Sequence, residues 1–304
     1  MNRSAKIFRI LSQRIFIFYF IGLLVISFSF DYKDTIDRAK VAALNRLMPD
    51  FVEMSKFVQD HNQFDKRNLK DYITCFGQIV EDFSSFAEAW GILGFSYAQL
   101  GEMQKAVAAY EKAIVANPNH FWFYHDIAML YYQMGQSEIA ADYFKKALMK
   151  NSDATLTFIF SSRVYLPLVK QLEDRNILKA NLTKGYQHCY QMLVLLEYRS
   201  KKFQEVLRGA QYAIKTNTEP KDFFYYFVGL SAYQLKDYKT AMYSLQESLK
   251  LNPKNAETFH YLGLISKDLG KEDMANKFFQ EEKLLKNDTP GYENWEASFG
   301  PWMM

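Results

Sequence analysis

The sequence predicts an all-α fold, an elongated solenoid of helical hairpins preceded by one transmembrane helix. Two observations predict it. Small and apolar residues recur with a period of 34 residues along much of the chain, and residues 15–30 form an uncharged apolar run. The composition is that of a folded chain, since 49% of the 304 residues are hydrophobic and 17% are aromatic. That length allows two globular domains or one array, and the repeat selects the array.

The N-terminal segment has the layout of a membrane anchor. Residues 15–30 read IFIFYFIGLLVISFSF, and as a helix they would span about 24 Å of the roughly 30 Å hydrocarbon core. Residues 1–30 carry four basic residues and no acidic one, whereas three aspartates follow: Asp31, Asp34 and Asp37. Because basic flanks stay in the cytoplasm, we expect residues 1–34 to form a cytoplasmic stub and a signal-anchor helix, with the array extracytoplasmic.

Two alternatives to an uncleaved anchor use the same residues. A cleaved signal peptide has the same basic start and apolar stretch, although Ser27 and Ser29 offer only a weak cleavage site. An organelle presequence would also be rich in arginine and free of acidic residues. We expect a single-pass protein of a bacterial inner membrane whose array faces the periplasm. After signal cleavage the array would instead be secreted or periplasmic.

One segment carries a motif that recurs along the chain. Residues 87–118 read AEAWGILGFSYAQLGEMQKAVAAYEKAIVANP, and a shift by 34 residues aligns Trp90 with Tyr124 and Tyr110 with Phe144. A second pair aligns in the same way further along, with Gly229 on Gly263, Ala241 on Ala275 and Leu245 on Phe279. The segment resembles the tetratricopeptide repeat (TPR), a helix-turn-helix unit with the pattern W-x₂-L-G-x₂-Y, A-x₃-F and a closing Pro.

The resemblance divides the chain into an array with a degenerate middle. We expect two well-matched repeats at 87–154, two more at 222–287, and two degenerate hairpins at 155–221, where Pro167 should break or kink a helix. Residues 35–86 are predicted to be a helical entry region or one further degenerate repeat. Residues 288–304 are an aromatic tail, which either caps the last repeat or docks on a partner.

The resemblance to TPR proteins also implies where a partner binds. In that family the first helices of the hairpins line a concave groove, which usually holds a peptide. The corresponding positions here are rich in aromatic residues and poor in charge: Phe95, Trp122, His125, Met129, Tyr132, Phe223, Tyr226, Leu230, Tyr233 and His260. They lack the Lys, Arg and Asn clamp of the chaperone-binding branch, so we do not expect a cytosolic co-chaperone.

The groove aromatics have two interpretations. Large aromatic residues supply much of the area that a protein core buries, so each of them could pack between helices. Aromatic residues also dominate binding hot spots, and on this interpretation an apolar binding strip is formed by Trp122, Tyr132, Tyr226 and Tyr233.

No residue pattern predicts an enzyme. The chain has no glycine-rich phosphate loop, H-E-x-x-H or G-x-S-x-G motif. His188 and Cys189 are adjacent, and adjacent residues on a helix do not face each other, so we expect no catalytic dyad. We expect no cofactor, no metal and no small-molecule substrate. The two cysteines, Cys75 and Cys189, lie far apart along an extended array, so no disulfide is predicted.

The charge distribution argues against a nucleic-acid partner. The net charge of +3 includes +4 from residues 1–30, which leaves −1 for the rest of the chain. Nucleic-acid affinity comes mainly from clustered cations, and the array has no such excess.

These features together predict a membrane-anchored scaffold or adaptor. It would bind a protein or peptide in the aromatic groove and take part in assembling an envelope or membrane complex. The alternative is an extracytoplasmic chaperone or holdase that uses the same groove for translocating polypeptides. A scaffold should co-purify with one fixed partner, whereas a holdase should suppress the aggregation of unrelated proteins.

Overall fold

In the computed structural model the described residues are 66–161 and 175–285, with Arg38, Ala42 and Tyr292. The two long ranges form twelve α-helices and contain no strand, which confirms the all-α prediction for this part of the chain. The helices are α1 (Lys66–Asp82), α2 (Ala87–Gln99), α3 (Met103–Ala116), α4 (Phe121–Gln133), α5 (Ser137–Leu148), α6 (Ser152–Ser161), α7 (Arg175–Arg199), α8 (Phe203–Lys215), α9 (Lys221–Gln234), α10 (Tyr238–Leu251), α11 (Ala256–Asp268) and α12 (Glu272–Leu285). Five helical hairpins follow one plan: α2–α3, α4–α5, α7–α8, α9–α10 and α11–α12.

The same turn joins the two helices of every one of these hairpins. At the first helix's end, one residue has a φ between +57° and +77°: Gly101, Gly135, Lys201, Lys236 or Gly270. The amide of this residue donates to the carbonyl three residues back, and the next amide donates to the carbonyl five residues back. This is the Schellman arrangement that ends many helices. The α7–α8 hairpin, which the repeat motif matches poorly, therefore has the same turn as the others.

Replacing Lys236 by Gly should stabilise the protein. Lys236 has a left-handed backbone conformation, which is about 1 kcal/mol less favourable for a residue with a Cβ than for glycine. Its side chain is exposed, so the substitution removes no buried contact. We expect the free energy of unfolding, measured by urea denaturation, to rise by about 0.5–1 kcal/mol. The reverse substitution at the equivalent turn, Gly135→Lys, should lower it by a similar amount. An unchanged stability of Lys236→Gly would contradict this interpretation of the turn.

Each hairpin also pairs one position on its first helix with one on its second, and the sizes of the two residues are complementary. A Cβ on Gly229 would lie 2.5 Å from Leu245, and a Cβ on Gly263 would lie 2.5 Å from Phe279. In α7–α8 the sizes are exchanged, since Val194 occupies the glycine position and Ala210 the large one, both buried. The two helices can therefore approach closely in every hairpin because the pair keeps a roughly constant volume.

The described residues between α5 and α9 form one hairpin of this plan. It is α7–α8, the later of the two degenerate hairpins predicted there, and its first helix has 25 residues. The hairpin stacks directly on α4–α5, with Lys145 paired to the buried Glu197 at 2.9 Å. The earlier predicted hairpin falls on α6 and on residues 162–174, which include Pro167 and lie outside the described residues.

The two ends of the array differ in how much the structure describes. In the predicted entry region, α1 packs on α2 and buries Leu69 and Phe76. The predicted transmembrane helix, residues 15–30, lies outside the described residues. Among the helices that are described, none has both the length and the apolar character needed to cross a membrane. Cys189 is a free, buried thiol.

Candidate functional site

The first helices of the hairpins lie side by side and form one face of the array. We call it the first-helix face; it comprises α2, α4, α7, α9 and α11. Side chains join neighbouring members, as the ring of Tyr198 on α7 lies 5.3 Å from that of Phe227 on α9. The hydroxyl of Tyr226 on α9 donates to Glu257 on α11 at 3.1 Å. The predicted groove residues all lie on these helices.

The ten predicted groove residues divide into two groups by burial. Six are buried: Phe95, Trp122, His125, Phe223, Tyr226 and Leu230. Four are partly exposed: Met129, Tyr132, Tyr233 and His260. Of the ten, the second group is therefore accessible at the surface, and the first group packs inside the array.

Trp122 is covered by the N-terminal half of α7. A Cβ on Gly185 would lie 2.7 Å from the Trp122 ring and 2.8 Å from Phe121, so the backbone of α7 sits directly on these rings. Phe121 also stacks on Tyr186, with ring centroids 4.3 Å apart, and the Tyr186 hydroxyl donates to the carbonyl of Lys150. Trp122 thus packs in the junction between the second hairpin and α7, which is the packing interpretation that the sequence left open.

A buried polar chain crosses the same junction. His125 Nδ1 lies 2.9 Å from Asp126 Oδ1, and His125 Nε2 lies 3.0 Å from His188 Nδ1. Burial, with the charge of His125 as the smaller cause, lowers the pKa of His188 to about 2. Burial, and then the charge of Asp126, raises the pKa of the neighbouring Cys189 thiol well above its usual value. A thiol held protonated is a poor nucleophile, so Cys189 is not activated here. The hydrogen-bonded side chains of His125, Asp126 and His188 instead link the two hairpins.

Acid should destabilise the fold through two buried histidines. Burial lowers the pKa of His120 to about 3, and His188 titrates near 2, against about 6.5 in the unfolded chain. Between these pKa values the unfolded chain binds more protons than the folded one. The free energy of unfolding is therefore highest above pH 6.5, and it falls towards pH 3 by up to about 1.4 kcal/mol per pH unit for each histidine. Urea denaturation at several pH values between about 4 and 7 measures this slope. The variant His120→Gln should reduce this slope by the contribution of one histidine. An unchanged slope would contradict the assignment to His120.

Three tyrosines occupy one equivalent position on the first-helix face. Each of them, Tyr132, Tyr198 and Tyr233, lies three residues before the positive-φ residue of its turn, whose amide donates to its carbonyl. We call them the tyrosine row; all three are half-buried. The Tyr233 hydroxyl donates to Asp268 at 3.1 Å, and Arg199 donates to the Tyr132 hydroxyl at 3.3 Å. The row therefore presents rings and phenol groups with charged neighbours.

Tyr198 is the member of this row that the sequence did not predict. It lies 35 residues before Tyr233, because the loop between α8 and α9 makes this repeat one residue longer than the others. A search at a spacing of 35 as well as 34 residues would have found it. Among the described residues there is no cluster of three or more His, Cys, Asp or Glu that could hold a metal ion.

Known proteins resemble this chain in sequence and fold. Tetratricopeptide repeat models match residues 87–120, 109–141 and 224–255. A TPR repeat-containing protein of Methanocaldococcus jannaschii is 28% identical over 179 residues, which are 58% of this chain and 27% of that protein. Superkiller protein 3 of Schizosaccharomyces pombe is 24% identical over 158 residues, which are 49% of this chain and 11% of that protein. The matched region thus spans about a quarter or less of these relatives' length.

A solved structure shares the architecture. The crystal structure of YrrB, described as a TPR protein with an unusual peptide-binding site, superimposes with a TM-score of 0.51 and 16% sequence identity, covering 70% of this chain and 93% of that one. The matched ranges cover α2–α4, the first part of α5 and most of α9–α10. The chain therefore contains two segments, residues 87–141 and 224–255, that match tetratricopeptide-repeat models, within an α-solenoid of helical hairpins.

Proposed function

We propose that the protein is a non-enzymatic scaffold that binds a protein or peptide on its first-helix face, with the tyrosine row as the main contact. The observation that carries the proposal is the recurrence of a half-buried tyrosine at one position in three stacked hairpins, Tyr132, Tyr198 and Tyr233. A tyrosine combines a rigid apolar ring with a hydroxyl that can donate or accept, and it is enriched among binding hot spots.

The arrangement of the row favours an elongated ligand. The hairpins stack in the order α4–α5, α7–α8 and α9–α10, so the three tyrosines follow one another across the face. An extended segment that lies across these helices would contact each ring in turn. Buried residues on the same helices, such as Leu230 on α9, fix the helices that carry the rings, which limits the entropy lost on binding.

Removing the row tests this function. The triple variant Tyr132→Ala, Tyr198→Ala and Tyr233→Ala should bind its partner at least about tenfold more weakly, because tyrosine is one of the residue types that contribute most of the binding energy at interfaces. The control is a double variant on second helices, Tyr212→Ala and Tyr243→Ala, whose side chains are 54% and 60% exposed. Quantitative co-purification from native extracts measures the effect, and circular dichroism checks the fold. Undiminished capture by the triple variant would contradict the proposal, and capture of many unrelated unfolded proteins would favour a holdase.

We further propose that residues 15–30 anchor the array in a membrane, with the N-terminus in the cytoplasm, as part of an envelope or membrane complex. The support is the uncharged run between a basic flank and three aspartates. Alkaline carbonate extraction should leave the protein in the membrane pellet. Release into the soluble fraction would contradict the anchor, and a mature protein that begins after Phe30 would indicate a cleaved signal instead.

A further inference from the structure

We propose that the start of α9 carries a pocket for a tyrosine side chain, which Tyr292 of the same chain fills, and that a partner segment bearing an unphosphorylated tyrosine replaces it. The pocket consists of Asp222, Phe223 and Tyr226 on α9 and Asn252 after α10. The proposal rests on the proposed function, because it names the chemistry of a segment that binds the first-helix face.

The floor of the pocket is aromatic and rigid. The ring of Tyr292 lies 4.8 Å from that of Tyr226 and 5.6 Å from that of Phe223, which it meets edge to face. Phe223 and Tyr226 are themselves almost completely buried. Both belong to the predicted groove residues, so Tyr292 occupies the surface on which the resemblance to TPR proteins implies a peptide.

The rim of the pocket forms hydrogen bonds with the phenol hydroxyl. The Tyr292 hydroxyl donates to Asp222 Oδ2, and Asn252 Nδ2 donates both to that hydroxyl at 3.4 Å and to the same carboxylate oxygen at 3.3 Å. Burial, and next the hydrogen bond with Asp222, raises the pKa of Tyr292. The occupant is therefore a neutral phenol that donates one hydrogen bond and accepts another.

The position of Tyr292 in the chain argues that it is a replaceable occupant. Its hydroxyl bonds to a carboxylate 70 residues earlier, on the hairpin before the last one. These contacts place it at the start of α9, on Asn252 and on Asn255, the N-cap of α11, which is the first-helix face of the array. A ligand attached to the same chain competes at an effective concentration of about millimolar, so its removal should increase binding of a free tyrosine peptide.

The rim also predicts which side chains the pocket rejects. A phosphate on the tyrosine would lie against the Asp222 carboxylate, and the two negative charges would repel each other. A phenylalanine would keep the ring contacts but would leave Asp222 and Asn252 without the hydroxyl. The expected order of affinity is therefore tyrosine, then phenylalanine, then phosphotyrosine.

A binding experiment with the full-length protein tests the pocket. The probe is a fluorescent peptide of residues 286–298 (KNDTPGYENWEAS), and the vacated protein is Tyr292→Ala. We expect this variant to bind the peptide at least about tenfold more tightly than the wild type does. The matched control, Tyr243→Ala, should bind like the wild type. A peptide with Phe at the tyrosine should bind several-fold more weakly, and a phosphotyrosine peptide should show no measurable binding.

Further variants separate the possible outcomes. Asp222→Asn on the Tyr292→Ala background should remove most of the discrimination against phosphotyrosine, because the repelling charge is gone. If Tyr292→Ala does not fold, Tyr292→Phe should still bind the peptide more tightly than the wild type. Equal binding by the wild type and the folded vacated variant, or tight binding of phosphotyrosine, would overturn the pocket. Partner capture that still depends on the tyrosine row would in that case leave the proposed function intact.

Discussion

The variant Gly229→Val should lose about 2–3 kcal/mol of unfolding free energy, because even a Cβ at this position would lie 2.5 Å from Leu245. Leu245 is completely buried and cannot move aside without displacing its neighbours. The α7–α8 hairpin shows the alternative solution, with Val194 and Ala210 at the equivalent positions. The double variant Gly229→Val/Leu245→Ala should therefore be more stable than either single variant, as urea denaturation of all four proteins will show.

A glycine elsewhere in the array provides the control. A Cβ on Gly77 in α1 would meet no atom within 4 Å, so Gly77→Ala should raise the stability by up to about 1 kcal/mol through helix propensity alone. If Gly229→Val were as stable as the wild type, or if Leu245→Ala failed to rescue it, the complementary pair would not hold the hairpin together.

The variant Trp122→Ala should destabilise the protein by about 3–5 kcal/mol, the usual cost of truncating a buried tryptophan. Its ring is 5% exposed and lies under Gly185 of α7. Hairpins of a solenoid contact only their neighbours, so we expect the loss to appear as earlier melting of α2–α5 in thermal unfolding followed by circular dichroism.

Tyr132 on the same helix is the matched control for Trp122. It is half-buried in the tyrosine row, so Tyr132→Ala should cost about 1 kcal/mol or less while weakening partner capture. The opposite pattern, a stable Trp122→Ala protein that no longer captures its partner, would place Trp122 in the binding surface and not in the junction.

The repeat register predicted the hairpins in which the motif is kept residue by residue. Gly94, Gly101 and their counterparts 34 residues later mark the crossing and the turn of the first two matched hairpins. The α7–α8 hairpin was harder to predict because neither motif glycine is present. Val194 and Ala210 conserve the combined volume of the crossing pair but not its residue types, and Lys201 replaces glycine at the turn.

The burial of the groove residues depends on contacts that the repeat does not contain. Trp122 and His125 are covered by α7, whose first half precedes the hairpin pattern, and no spacing rule places it over α4. The contact between Tyr292 and α9 joins residues 70 positions apart, outside any repeat. The sequence therefore predicted which helices form the face, but it could not predict which of their side chains remain accessible.

Site-specific photo-cross-linking would locate the partner on the array most directly. A benzoylphenylalanine at Tyr132 or Tyr233, on the first-helix face, should form a cross-linked adduct with the co-purifying partner. The same group at Tyr212 or Tyr243, which are exposed on the second helices, should form none. Adducts from the second helices alone, or equally from both faces, would contradict binding by the tyrosine row.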